Sequence, residues 1–147
     1  ARVFRLPVRV LASLHSRPTL PKTRISAATG QVAFLPPTGL ASASGEVFSI
    51  SGRNLDNIGR SRLVYQDQNG KSLWKLSLFS YLTWQSSRWS PEQAEAIAMT
   101  FRFDAPEPGD SAETLRISRQ AFSARLDGAG YAPLWDAEQA FKNDAKD

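Results

Sequence analysis

Cysteine is absent from all 147 residues. Disulfides, thiolate metal sites and cysteine nucleophiles are excluded together. Histidine occurs once, as His15. It sits in a proline-flanked stretch without a regular pattern, which argues against a histidine-built zinc site and against a Ser-His-Asp triad. No apolar run approaches the roughly 18 residues that a membrane-spanning helix requires. Acids are missing from one whole region. Residues 1–45 hold Arg2, Arg5, Arg9, Arg17, Lys22 and Arg24, and the first carboxylate is Glu46.

The motifs of common catalytic sites are missing too. Residues 52–59 have Gly52 and Gly59 but no Gly-Lys-Ser/Thr, and no G-x-G-x-x-G follows a strand. Asp104–Asp110 lacks the spacing and central glycine of an EF-hand loop. Asp56, Asp67, Glu92, Glu95 and Asp104 supply carboxylates without a pattern that pairs them. Glu92 and Glu95 could neighbour each other at i,i+3, where acids at a helix start complement the dipole. The sequence therefore assigns no catalytic residue, no metal ligand and no cofactor.

What is present is positive charge and alternating patterns. The net charge is +4. From residue 102 onward nine acids face six bases, so the excess lies in the N-terminal third. A basic patch is the electrostatic footprint of nucleic acid or an anionic surface. Residues 1–21 combine Arg, Ser and aliphatics without acids and begin at Ala1. That composition resembles an organellar transit peptide or its remnant, and makes the mitochondrion the expected location. Pro7, Pro18 and Pro21 argue against a helix across the segment, and Val8–Val10 could be a short strand.

The strongest local signal is Asn69-Gly70 between two alternating runs, Arg60–Gln68 and Lys71–Trp84. It predicts a β-hairpin with a type I′ turn. Tyr65 then faces Trp74, and Leu63 faces Leu76. The opposite face carries Arg62, Lys75 and Phe79. Further strands are expected in 22–36 around Thr29-Gly30, in Glu46–Ser51, in Thr114–Arg119 and in Ala121–Leu126. Turns are expected at 52–59 and at Asp127–Gly130, and a loop at 37–45. Two helix starts stand out. Ser90-Pro91-Glu92-Gln93 reads as a capping box with Pro at the first helical position, followed by Ala94, Ile97, Ala98 and Phe101 at helical spacing. Asp136 with Gln139 repeats the signal.

Strands followed by a helix, twice, in a basic chain resembles the Whirly-type single-stranded nucleic-acid-binding family, which includes kinetoplastid mitochondrial RNA-binding proteins. SRPTLPKTRISAATGQVAFLPPTG (16–39) is similar in pattern to the first strands of that fold. The resemblance implies two packed repeats, oligomeric assembly and binding of RNA or single-stranded DNA. It transfers no individual binding residue.

The expected fold is α+β: a mostly antiparallel sheet with two short helices, arranged as two strands-then-helix units. A basic arm, 1–21, precedes one β-rich domain, 22–147. The expected function is non-enzymatic binding of RNA or single-stranded DNA by an oligomer with no membrane span. Arg24, Arg53, Arg60, Arg62, Lys71, Lys75 and Arg88 would grip phosphates, with Phe79 and Tyr81 as aromatic platforms. Trp84 and Trp89 are further aromatic candidates, though each by itself reads more readily as an anchor that fixes the following helix onto the sheet. The competing reading is a non-catalytic accessory subunit of a larger assembly that docks through its basic N-terminal arm.

Overall fold

The computed structural model describes residues 2–20, 23–70, 72–103 and 108–144. Along the chain it forms α1 (Arg2–His15), β1 (Ile25–Thr29), α2 (Glu46–Asp56), β2 (Leu63–Asp67), α3 (Leu73–Ser86), α4 (Pro91–Thr100), α5 (Pro108–Thr114), α6 (Arg119–Ala129) and α7 (Tyr131–Asp144). The expected antiparallel sheet is overturned. Helices dominate the described residues, whose only sheet is one parallel pair, β1 with β2. The strands-then-helix repeat goes with it. Contacts divide the chain into two compact units: Ala1–Thr23 with Trp84–Asp147, and Arg24–Thr83. The division falls inside α3.

In the first unit, α1 forms despite Pro7. A proline inside a helix costs about 3 kcal/mol. Phe4, Val8, Leu11 and Ala12 recur at helical spacing and are buried, and each larger one returns roughly 1.5–3 kcal/mol. Burial therefore outweighs the break, and neither the strand at Val8–Val10 nor a loose arm is formed. Phe4 stacks on Phe141, with centroids 5.1 Å apart. Arg5 binds both carboxylate oxygens of Glu138 at 2.8 Å and donates through Nη1 to Arg102 O.

α4 starts as its sequence predicts. Ser90 Oγ accepts from Gln93 N, and Gln93 Oε1 accepts from Ser90 N. Ala94, Ile97 and Phe101 are buried. Neither strand expected in 114–126 forms: Thr114–Arg119 is mostly the connection between α5 and α6, and Ala121–Leu126 lies inside α6. Ser118 caps α6 by accepting from Ala121 N. Gly130 ends α6 in the left-handed conformation, φ 74°. The expected turn at Asp127–Gly130 is thus the last turn of a helix and its cap, and α7 begins at Tyr131, ahead of the expected start at Asp136. Gln85 Nε2 and Trp89 Nε1 both donate to Ala129 O, at 2.7 and 2.9 Å. Trp89 is therefore an anchor.

The second unit is a β-α-β-α run. Parallel strands cannot be joined by a tight turn, and α2 provides the crossover. Glu46–Ser51 alternates like a strand, yet it opens this helix, with Ile50 buried. The helix runs through Gly52 to Asp56, and the turn starts only at Asn57. Asn69-Gly70 does turn, with Gly70 at φ 63°. Asp67 accepts from Asn69 N and from Ser72 Oγ, and the chain then enters α3 rather than a second strand. Lys75, Phe79, Leu82, Gln85 and Ser86 are the buried positions there, successive turns of the helix being three to four residues apart. The alternation in WKLSLFS was coincident with a helical stripe. Tyr65 stacks on Phe79 at 5.0 Å and meets Thr29 Oγ1 at 2.6 Å. The second strand expected in 22–36 is reduced to a single antiparallel bridge, Phe34 with Ser44.

Candidate nucleic-acid interface

The register of the parallel pair decides which cations meet. Ile25 pairs with Leu63, so Arg24 and Arg62 each stand one residue before the first pair. Ile25 N donates to Arg62 O at 2.8 Å. Alternate residues of a strand share a face, and so do paired residues of neighbouring strands. Arg24 and Ser26 therefore share one face with Arg62 and Val64.

The crossover adds to the same end. α2 carries Arg53 in its last turn, and the connection from Asn57 to Arg62, which holds Arg60, leads directly into β2. Arg24, Arg53 and Arg60 are exposed, while Arg62 is half-buried. None of the four side chains makes an ion pair with another described residue. Arg62 Nε and Ser26 Oγ are buried without a hydrogen-bond partner. Leaving a buried donor unmet costs about 1–3 kcal/mol. An oxyanion supplies what a guanidinium lacks here, because its oxygens accept charge-assisted bonds in fork geometry.

The remaining expected residues separate. Phe79 is fully buried in the core, because α3 is a helix that turns it toward Tyr65. It cannot stack on a base. Lys75 is buried in the first turn of α3, with Nζ 5.5 Å from the Trp74 ring centroid. A basic sheet face carrying both residues does not exist. Tyr81 is about half exposed, at 49%. It lies two residues before Thr83, whose hydroxyl donates to Leu63 O at 3.0 Å. That bond brings this part of α3 to the Arg62 end of β2. Arg88 belongs to the first unit, where its guanidinium lies 3.8 Å from the centroid of the exposed Trp84 ring and Nη1 donates to Trp84 O. Lys71 lies outside the described residues.

Ser26 is the member that sequence reasoning missed. Its signal was available in the matching starts Arg24-Ile25-Ser26 and Arg62-Leu63-Val64, which become neighbours once the strands are paired in parallel. The side chains gathered here are mainly donors, suited to binding an anion. Among the described residues no group of three His, Asp or Glu side chains could hold a metal ion, and no helix is long and apolar enough to cross a membrane. Comparison of the chain with family models, curated proteins and solved structures finds no match.

Proposed function

We propose that the protein binds single-stranded nucleic acid without catalysis, gripping the phosphate backbone with the arginine end of residues 24–83. The observation that carries this reading is the side-by-side placement of Arg24 and Arg62 at the start of two parallel strands, with no carboxylate among the described residues paired to either. The charge balance supports it. Residues 24–83 contain six bases and three acids, a net +3 of the chain's +4. Capture is electrostatic and releases counterions. Tyr81 offers one exposed ring for stacking, worth about 1–3 kcal/mol per base. Sequence readout is slight, since guanidinium–phosphate contacts position a strand without reading it.

The test is fluorescence anisotropy of a labelled single-stranded RNA, titrated at low and at physiological salt with unlabelled DNA of the same sequence as competitor. Wild type is expected to bind at micromolar concentration or tighter. Arg24→Gln/Arg62→Gln should weaken binding about tenfold or more and flatten the salt dependence by roughly 1.4 in log–log slope, at about 0.7 per lost phosphate contact. Arg88→Gln serves as the control in the other unit. No binding at low salt, or an unchanged affinity in the double variant, defeats the reading.

A further inference from the structure

We propose that the first unit carries a site for a short apolar peptide with free termini, in a groove along α6. This inference stands independently of the reading given to residues 24–83.

One face of α6 builds the groove. Arg119, Phe122, Ser123, Leu126 and Asp127 follow the i, i+3, i+4, i+7, i+8 spacing of a single helical face. Gly130 then turns the chain in the left-handed conformation, and Tyr131 stands at the far end. These six residues border a cavity of about 320 Å³. Phe122 and Leu126 are buried and form its floor, while Tyr131 is half-buried. The Tyr131 ring stands edge-on to Phe101, with centroids 6.1 Å apart. The middle of the groove is therefore apolar, and its wall is held by the core. The volume lies at the lower end for ligand pockets and suits a ligand of a few residues.

Charge marks the two ends. Arg119 opens α6 and Asp127 stands in its last turn, with Ser123 as the polar lining residue between them. No acid occupies the first turn of this helix and no base the last. Each charge thus has the sign that the helix dipole disfavours at its end. Neither side chain makes an ion pair with another described residue. A ligand carboxylate at Arg119 and a ligand ammonium at Asp127 correct both placements at once. The guanidinium fork donates two parallel bonds to the first, and the Asp127 carboxylate accepts from the second.

Length selects the ligand. Arg119 and Asp127 lie about 12 Å apart along the helix axis. A free amino acid holds both charges on one carbon and cannot bridge them. Three extended residues reach roughly 10 Å, and the two side chains cover the rest. A tripeptide laid along α6 places its central side chain over Phe122 and Leu126 and its backbone beside the Ser123 hydroxyl. Capture of the two termini sets its direction, and the apolar floor selects its central residue.

Titration of the whole isotope-labelled chain with Ala-Leu-Ala, followed by amide NMR, tests the site. The expected result is saturable shifts confined to residues 118–131, with a Kd of about 1 mM or tighter. N-acetylation and C-amidation of the peptide should each weaken binding about fivefold, and Ala-Asn-Ala should bind severalfold more weakly. Arg119→Gln should weaken Ala-Leu-Ala about fivefold and make amidation inconsequential. Asp127→Asn should do the same for acetylation. Neither variant should lower the Tm, since each removes a charge that the helix dipole disfavours. Absence of saturable shifts, or shifts centred outside α6, overturns the proposal. So does a response to amidation without one to acetylation, which would make the groove a carboxylate site, or a cost of capping that is the same in wild type and in the matching variant.

Discussion

Glu138 is almost completely buried, at 1% exposure, yet it is held as an anion. Burial alone would push its pKa up. The paired bonds and charge of Arg5, followed by those of Lys142, outweigh that and hold it below the usual carboxylate range. Tyr131 close by moves the other way: burial raises its hydroxyl pKa, the charge of Glu138 adds to this, and Arg5 opposes it. For Glu138 the folded pKa is lower than the unfolded value of about 4.3. Its ionised form therefore stabilises the fold above that value, and the contribution is lost as the pH falls through the folded pKa. Glu138→Gln should cost about 3 kcal/mol at neutral pH, since it leaves the half-buried Arg5 without its anion. Urea denaturation at pH 7 and pH 3 should show the gap between wild type and variant narrowing in acid. A gap independent of pH would assign the loss to packing instead of charge.

The helices differ in how openly they announce themselves. α4 is written in its capping residues, and Ser90→Ala should destabilise the chain by about 1 kcal/mol, with Gln93→Ala adding little once Ser90 is gone. Thermal unfolding of the two single variants and the double variant measures that coupling; full additivity would mean the two halves of the box act separately. α3 was hidden for a physical reason. An Asn-Gly turn and a short alternating run satisfy the hairpin pattern locally, while the buried positions Lys75, Phe79, Leu82, Gln85 and Ser86 obey the helical one. Only pairing partners distant in sequence decide between them, and β2 finds β1, 38 residues upstream in register, not the residues that follow. Glu46–Ser51 fails likewise, since six residues are too few to separate period 2 from period 3.6. The arginines of the interface were legible as charge, whereas their convergence required the parallel pair. Lys75 and Phe79 were misplaced because the hairpin put them on an open face.

The chain as a whole divides its charge unevenly. Twelve bases and eleven acids belong to the first unit, leaving it nearly neutral. The unit that supplies the proposed interface is therefore also the one whose field would steer a polyanion. The same division sets an order of folding. Every contact within residues 24–83 can form as soon as that stretch has been synthesised. Arg5 must wait for Glu138, 133 residues later, and the stripe of Phe4, Val8, Leu11 and Ala12 has no cover until α4 and α7 exist. Contacts so distant in sequence close slowly, and uncovered apolar stripes invite association meanwhile. Pulse-labelled hydrogen exchange during refolding should protect the amides of β1 and β2 before those of α1, and the reverse order would contradict this. A nascent chain would thus carry its arginine end ready-made while its first helix still needs shelter.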